Sequence, residues 1–295
     1  MAQAEEYLRA VRLLPPGLRA KAAGQTDELL RGAEELRLRV GQAPTAVFEG
    51  REQVLDSAHC VTPEELALTL ELATRSSAHT YADSIRMGYV TAPSGVRLGL
   101  CGTAVTEGES ISGLRRLSSI CIRIPHQVSG CAETVFPRIS RGGFASTLIV
   151  SPPGGGKTTL LREIVRKLSE GGRRVSLIDS RNEVAGVFEG RACFDVGSRT
   201  DVLSGAPKAQ GIYLVLRAMS PEVIAFDELT APEDVKACEE AANCGVGLLA
   251  TAHAAGLEDL RSRPLYEKLL ERRIFKYAVV ISSLGSQREY RTVEL

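Results

Sequence analysis

The C-terminal half of the chain alternates short apolar runs with longer stretches of helical periodicity. Residues 146–150 form a β-branched run, and residues 157–169 carry leucine, isoleucine and valine along one helical stripe. The apolar runs lack polar alternation, as in strands that are buried on both faces of a parallel sheet. The pattern therefore predicts an α/β domain with a mostly parallel sheet. Its other elements are strands at 175–178, 223–226 and 246–250, a helix within 208–219 and a helix from Pro232.

The N-terminal half has a different pattern, which predicts a smaller α+β domain. Thr62, Pro63 and Glu65 suit the N-cap, N1 and N3 positions of a helix that ends near Ser76. Two runs alternate apolar and polar residues like half-exposed strands, and glycines between them favour the turns of an antiparallel sheet. The runs lie at 36–40 and 120–124, and the glycines at 88, 95, 99, 102 and 113.

Breaks in these patterns predict the domain boundaries. Pro137, Arg141, Gly142 and Gly143 interrupt the pattern between the two halves, which places the boundary near residues 128–141. We expect a separate helical or loosely ordered arm over residues 1–25, an α+β domain over 26–135 and an α/β domain over 136–295. A length of 295 residues fits two domains of about 150 residues each.

Composition and charge narrow the classes of function. Lys plus Arg and Asp plus Glu both number 36, so no global field favours nucleic acid or an anionic membrane as partner. No run approaches the roughly 18 apolar residues that span a bilayer, and the first twenty residues do not resemble a secretory signal. Seven cysteines without a C-x-x-C pair are typical of reduced thiols. We expect a cytoplasmic protein without a membrane span.

The strongest chemical signal is Ser-Pro-Pro-Gly-Gly-Gly-Lys-Thr at 151–158, between a predicted strand and a predicted helix. Glycines let successive backbone N–H groups point at phosphate oxygens, and the helix N-terminus favours the same anion. Lys157 would reach the β- and γ-phosphates, and the Thr158 hydroxyl would hold Mg²⁺. Ser151 stands where the usual first glycine would be, which a small residue tolerates. The motif predicts ATP and Mg²⁺ as cofactors, bound by Pro153, Gly154, Gly155, Gly156, Lys157, Thr158 and Thr159.

A second motif supports this interpretation about 70 residues downstream, where P-loop NTPases place their acidic strand end. The predicted strand 223–226 ends in Asp227 and Glu228. Asp227 would hold Mg²⁺ beside Thr158, and Glu228 would polarise the attacking water as general base. An apolar run that ends in two acids is weak evidence alone, but it becomes strong together with the P-loop.

Two further polar clusters follow strands of the same sheet, at 179–183 and 251–254. Ligands of open α/β sheets lie outside the carboxyl ends of the strands, so both clusters should face the γ-phosphate. Glu183 and His253 are therefore candidate catalytic residues. We interpret His253 as a γ-phosphate sensor rather than a metal ligand, because no second His or Cys stands at ligand spacing. A purely structural histidine is the alternative.

The order of these motifs resembles the secretion ATPases of type II and type IV systems. Among them the chain is most similar to the stage III sporulation protein AA family. Leu-Ile-Asp-Ser-Arg-Asn-Glu-Val-Ala-Gly at 177–186 carries the resemblance most specifically. Stretches at 85–91, 95–102 and 117–125 agree as well, and the similarity runs from about residue 30 to the C-terminus.

The resemblance implies a RecA-like P-loop NTPase domain, preceded by the smaller α+β domain, in a hexameric ATPase. Such an enzyme would energise or assemble a transmembrane channel between mother cell and forespore during endospore formation. It would act in the mother-cell cytoplasm, peripheral at the membrane through membrane proteins of that complex. The N-terminal domain would supply arginines to the phosphates, and Arg116 and Arg123 are the candidates by position, with Arg86 and Arg97 behind them.

Two alternatives of other classes remain open. The first is a nucleotide-stabilised ring or scaffold with little turnover, which the intact Glu228 disfavours because a scaffold needs no general base. The second is a RecA-like nucleic-acid translocase. Zero net charge and 5% aromatic residues disfavour it, since single-strand channels need a basic groove and stacking platforms.

Overall fold

A computed structural model describes residues 2–75, 81–92, 95–108, 110–124, 127–284 and 287–295. The chain forms two compact units, Met1–Gln127 and Val128–Leu295. This division lies at the start of the predicted boundary region 128–141, and the domain ranges divided at 135/136 begin the second unit too late. The reason is that Ala132, Val135 and Ile139 are completely buried in a core of the second unit. In the described part of the chain, no helix is both long and apolar enough to cross a membrane.

The first unit is an antiparallel six-stranded sheet in the order β3-β2-β1-β6-β5-β4, with helices packed against it. Leu36 and Leu38 of the central strand β1 are buried, whereas their neighbours along the strand are partly exposed. The alternation of apolar and polar residues therefore marks one buried face of the sheet. The elements are α1 (Ala2–Val11), α2 (Pro16–Ala23), α3 (Asp27–Gly32), β1 (Ala33–Arg39), β2 (Thr45–Phe48), β3 (Arg51–Val54), α4 (Pro63–Thr74), α5 (Ala82–Arg86), β4 (Tyr89–Thr91), β5 (Arg97–Glu107) and β6 (Ser110–Arg123).

Helix α4 begins where the sequence predicts. The Thr62 hydroxyl accepts the backbone N–H of Glu65 at 3.3 Å, and the Glu65 carboxylate accepts the backbone N–H of Thr62 at 2.9 Å. This reciprocal capping box pairs two of the N–H groups that a helix start leaves open. The helix ends at Thr74, and Ser76, where the pattern placed its end, lies outside the described residues.

Residues 1–25 do not form a separate arm, which corrects the sequence prediction. Tyr7, Leu14 and Leu18 of this segment are buried in the same core as the sheet residues. The Tyr7 hydroxyl donates to the backbone carbonyl of Ala22 at 3.0 Å, which joins α1 to the end of α2. Glu5 and Arg9 of α1 remain accessible to solvent, whereas Tyr7 and Ala10 are buried, as in an amphipathic helix that packs on a core.

The glycines at 99, 102 and 113 lie inside strands β5 and β6 rather than in turns, contrary to the prediction. Gly102 has a steric reason, because a Cβ atom there would lie 2.9 Å from the carbonyl oxygens of Arg115 and Arg116. The register between the two strands shifts at this point, and Arg116 has a positive φ of 48°. The glycine therefore permits a β-bulge in the hairpin.

The second unit is an α/β sandwich around a seven-stranded sheet in the order β13-β12-β7-β11-β10-β8-β9. All neighbouring strands are parallel except β12 and β13. Helices cover both faces. The elements are α6 (Phe136–Ile139), β7 (Thr147–Ser151), α7 (Lys157–Glu170), β8 (Val175–Asp179), β9 (Thr200–Ser204), α8 (Lys208–Ala218), β10 (Val223–Phe226), α9 (Pro232–Asn243), β11 (Gly247–His253), α10 (Leu257–Arg261), α11 (Pro264–Glu271), β12 (Tyr277–Leu284) and β13 (Gln287–Glu294).

The parallel strands place their carboxyl ends at one edge of this sheet. Strands β7, β8 and β10 are buried along their whole length, as their unbroken apolar sequences predict. Alternate residues of the strands enter two cores, one under α7 and one under α8 and α9. The loops that follow β7, β8 and β10 consequently meet at the same edge, where the predicted phosphate-binding and acidic residues lie.

Replacing Tyr7 tests whether α1 is part of the first unit. Tyr7→Ala removes a completely buried ring and leaves the Ala22 carbonyl without its partner. We expect a loss of about 4 kcal/mol in the free energy of unfolding, measured by urea denaturation. The adjacent Leu8 is 37% exposed, so the control Leu8→Ala should change stability by less than about 0.5 kcal/mol. Equal, small effects of both substitutions would show a loosely attached segment.

Candidate active site

The loop between β7 and α7 owes its shape to glycine. Gly154 and Gly156 have φ values of 74° and 92°, which residues with a side chain rarely adopt. A Cβ atom on Gly155 would overlap the Oγ atom of Ser151, so the missing side chain at 155 makes room for the serine. The Ser151 hydroxyl donates to the carbonyl of Pro152 at 3.0 Å. This arrangement explains how the loop accepts serine in place of its usual first glycine.

The Lys157 ammonium is folded back onto its own loop. It donates to the carbonyls of Ser151 and Pro152 at 2.8 and 2.9 Å and to Nδ1 of His253 at 2.9 Å. An ammonium has three N–H donors, so all of them are in use. Burial lowers the pKa of Lys157, and the negative charge of Glu228 partly opposes that shift. A phosphate that binds Lys157 must therefore replace at least one of these acceptors.

His253 connects Lys157 to Glu228. Its Nε2 atom lies 3.1 Å from Oε2 of Glu228. Because Nδ1 accepts from the lysine, Nε2 carries the ring proton and donates it to the carboxylate. His253 is the last residue of β11 and pairs with Ser151, so it does not follow the strand as expected. The strand extends that far because β7 runs alongside it to the start of the loop.

The backbone holds Glu228 in an unusual conformation directly after β10. Its φ is 21°, and its N–H donates to the hydroxyl of Thr251 at 2.9 Å. Strained backbone of this kind persists only where the surroundings fix it, and it is common at functional sites. Arg181 lies 3.6 Å from the Glu228 carboxylate. Sequence reasoning gave Arg181 no role of its own, although it stands within the polar cluster that follows β8.

Asp227 supplies a buried oxygen that suits a metal ion. Within the described residues its Oδ1 atom has no hydrogen-bond partner, and the Lys208 ammonium lies 4.0 Å away. Burial raises the pKa of Asp227 to about 6, although the charge of Lys208 lowers it. Mg²⁺ prefers hard oxygen ligands, so a carboxylate oxygen that accepts no hydrogen bond and the hydroxyl of Thr158 are of the kind that fits it. No sequence signal pointed to Lys208.

The loop that carries Glu183 is anchored by its first acidic residue. Asp179 is completely buried, and its carboxylate accepts the backbone N–H groups of residues 183, 184 and 185 at 2.8–3.0 Å. From α7, the Arg162 guanidinium donates to the carbonyls of Glu183 at 2.7 Å and Val184 at 2.6 Å. Asp179 thus has an architectural role here. Its charge and that of Glu183 both raise the pKa of Asp227, so the three acids lie close together.

The sequence-predicted residues divide between the two units. The second unit brings together Lys157, His253 and Glu228, with Asp227 and Glu183 beside them. Arg116 and Arg123 lie on β6 of the first unit, where Arg116 borders an apolar groove and Arg123 lies 3.8 Å from the carboxylate of Glu35. Their role toward phosphate stays a prediction. The remaining loop residues, Pro153, Gly154, Gly155, Gly156, Thr158 and Thr159, lie between β7 and the first turn of α7.

Comparisons with known proteins agree with this architecture. The model of the family "Sporulation stage III, protein AA" matches residues 8–293. The stage III sporulation protein AA of Bacillus subtilis (strain 168) is 35% identical over 268 residues, which cover 89% of this chain and 87% of that protein. The family resemblance predicted from the sequence is confirmed.

Two solved structures share the fold. The ATPase DotB of Legionella pneumophila superposes with a TM-score of 0.59 and 18% identity, over 88% of this chain and 76% of that chain. The pilus retraction motor PilT with bound ADP gives 0.59 and 16% identity, over 91% of this chain and 81% of that chain. The predicted fold class, a RecA-like P-loop domain preceded by a smaller α+β domain, is confirmed.

The pKa of Asp227 predicts how stability depends on pH. The folded-state pKa of about 6 exceeds the usual 3.8, so folding favours the neutral carboxyl group. The stability that this preference contributes is complete below pH 3.8 and is lost as the pH rises through 6. In metal-free buffer at pH 8, Asp227→Asn should therefore gain about 2–3 kcal/mol over wild type, and the gain should vanish near pH 4.

Urea denaturation with EDTA at pH 4 to 8 measures this difference. Asp201→Asn, at an exposed position on β9, is the matched control and should follow wild type throughout. A gain for Asp227→Asn that is equal at pH 4 and pH 8 would contradict the raised pKa.

Proposed function

Since this chain belongs to the sporulation stage III protein AA family, we propose that it is an ATP-hydrolysing enzyme of the secretion-ATPase type. The observation that carries the proposal is the hydrogen-bonded series from Lys157 through His253 to Glu228. It connects the group that binds the terminal phosphates to the group that activates water. A protein that only binds nucleotide has no need of that connection.

ATP would bind with its phosphates in the loop 153–156 and at the first residues of α7. Backbone N–H groups of the loop and the positive end of the helix dipole would hold the phosphate oxygens. Lys157 would exchange the imidazole of His253 for a phosphate oxygen, which is a stronger acceptor for an ammonium. Thr158 and Asp227 would hold Mg²⁺, which neutralises charge on the phosphates.

Glu228 would become available as general base when the lysine moves. In the present arrangement the carboxylate accepts the Nε2 proton of His253, whose orientation depends on the Lys157 ammonium. Once a phosphate takes Lys157, the imidazole loses that support and is free to turn to the γ-phosphate. Glu228 can then accept a proton from water instead. In this scheme His253 and Glu183 would act beside the phosphate, whereas Glu228 would act at the reacting water.

We further propose that the enzyme assembles as a hexamer and energises or assembles a transmembrane channel between mother cell and forespore. Its membrane partners would hold it at the membrane from the mother-cell cytoplasm. The family membership supports this, and the fold shared with DotB and PilT is compatible with it. Arg116 and Arg123 of the first unit would reach the phosphates of a neighbouring subunit and neutralise charge in the transition state.

Glu228→Gln tests hydrolysis against binding. The amide keeps the size of the side chain but accepts no proton, so phosphate release should fall about 10²- to 10⁴-fold. The dissociation constant for ATP, measured by calorimetry, should change by less than about threefold, since phosphate binding does not use this carboxylate. Lys157→Ala should abolish binding instead.

Glu258→Gln, at an exposed position on α10, is the control and should behave as wild type in both assays. If wild type and Glu228→Gln are equally inactive while ATP is bound and the protein is oligomeric, the scaffold alternative holds and the enzymatic proposal fails.

A second prediction concerns the arginines. Arg116→Gln and Arg123→Gln should each lower kcat about 10²-fold or more without weakening ATP binding by a similar factor, because they act on transition-state charge. The adjacent Arg115→Gln is the control. Mixing Arg116→Gln with Lys157→Ala subunits should restore part of the activity if the arginine acts between subunits. If the protein has the mass of a single chain in solution with a non-hydrolysable ATP analogue, the hexamer is contradicted. If Arg115→Gln and Arg116→Gln lower kcat equally, the role of Arg116 is contradicted.

A further inference from the structure

A second cavity of the second unit lies between the segment 130–138 and the β12–β13 hairpin. Its volume is about 910 Å³, within the range of small-molecule sites. Tyr290 and Arg288 of β13 line it from one side, and Thr134 and Arg138 line it from the other. None of these residues takes part in the loop and acidic site described above. Arg288 and Tyr290 are two positions apart on one strand, so both project from the same face of the hairpin.

The cavity adjoins the phosphate-binding loop. Three atoms of the Arg288 guanidinium lie only 2.9–3.1 Å from the position that a Cβ atom on Gly156 would occupy. A second lining residue, Cys131, has its Sγ atom 3.9 Å from the carbonyl of Thr159, in the first turn of α7. The lining therefore begins where the loop passes into the helix, and Arg288 stands at the junction.

The order of the strands fixes which end of a bound triphosphate faces this cavity. His253 on β11 and Glu228 after β10 lie on one side of β7 and define the γ-phosphate end. Strands β12 and β13 lie on the other side of β7. A triphosphate that extends along the loop, with its γ-phosphate at Lys157, consequently has its α-phosphate and nucleoside on the side of the cavity.

The chemistry of the lining suits that half of the molecule. Three arginines, at 138, 288 and 291, line the cavity together with Glu289. Since Glu289 and Arg291 project from the opposite face of β13 to Arg288 and Tyr290, the cavity extends around the edge of that strand. Within the described chain, none of the three arginines has a carboxylate within 4 Å. A concave surface with unpaired cations attracts an anionic ligand. The partly buried Tyr290 ring, packed against the core of the unit, adds a rigid flat surface for a base.

We propose that this cavity receives the nucleoside half of ATP, with Tyr290 beside the base and Arg288 on the phosphate next to the ribose. The inference rests on the proposed function, since it assumes that a triphosphate occupies the loop. It adds a base-binding surface that belongs to the β12–β13 hairpin of the same chain and a phosphate ligand, Arg288, that comes from the C-terminal strand.

The test compares ATP with inorganic tripolyphosphate, which has the phosphates but no nucleoside. Thr134 is exposed and borders the cavity, so Thr134→Trp should fill it without touching the loop. In calorimetric titrations with Mg²⁺, we expect this variant to bind ATP at least about 30-fold more weakly and tripolyphosphate within about twofold of wild type. Thr134→Ser, which leaves the cavity open, should match wild type for both ligands.

Arg288→Gln provides a second measurement. Losing one charged contact to phosphate should weaken both ATP and tripolyphosphate by about 10-fold or more. Arg261→Gln, an exposed arginine on α10, controls for the loss of one positive charge and should change neither. Retained tripolyphosphate binding by Thr134→Trp also shows that this variant is folded.

Two results would overturn the inference. The first is Thr134→Trp binding ATP as tightly as wild type, which would place the nucleoside elsewhere while leaving the proposed ATPase intact. The second is an equal loss of ATP and tripolyphosphate in that variant, which would show that the cavity does not distinguish the nucleoside. A wild-type protein that binds neither ligand would instead refute the proposed function, and this inference with it.

Discussion

The Lys157 ammonium is the group on which the rest of the site depends. Its three donors are shared among two carbonyls of the loop and the imidazole of His253, so its position sets the tautomer of that ring. The ring in turn occupies an oxygen of Glu228. Charge-assisted hydrogen bonds contribute about 1.5–3 kcal/mol each. A ligand that displaces one of them must offer a better acceptor, and phosphate oxygen is the acceptor that the loop's N–H groups also favour.

The polar groups around Lys157 therefore satisfy one another. The lysine, which would otherwise be a buried charge beside apolar strands, is fully hydrogen-bonded, and the Glu228 carboxylate accepts a hydrogen bond from His253. In the mechanism that we propose, His253 therefore links phosphate binding to the activation of water. The buried Asp227 differs, because its Oδ1 atom has no hydrogen-bond partner among the described residues and its pKa is raised. Lys157 is thus fully hydrogen-bonded, whereas Asp227 keeps an oxygen that could bind the Mg²⁺ ion we propose.

Much of this was predictable because the signals are local. The strand–glycine loop–helix unit at 147–170 and the acidic strand end at 223–228 are each one continuous segment, and the apolar strand sequences follow from burial on both faces of a parallel sheet. Contacts between distant segments were not. Lys208 beside Asp227, and Asp179 as an anchor for three N–H groups, depend on the order of strands in space. The prediction of a separate arm over residues 1–25 was wrong for a related reason. The sequence of a short amphipathic helix is the same whether the helix packs against a core or not.

Gly102 shows how the position of a candidate functional side chain can depend on a residue in the neighbouring strand. Its missing side chain lets the backbone of Arg115 and Arg116 approach closely, and the bulge there turns the Arg116 backbone to a positive φ. The direction of the Arg116 side chain therefore depends on Gly102 of the neighbouring strand, fourteen positions earlier in the chain. Gly102→Ala would change the direction of the Arg116 side chain without replacing any charged residue. Variation at this glycine should consequently be tolerated far less than variation on the exposed hairpin around it.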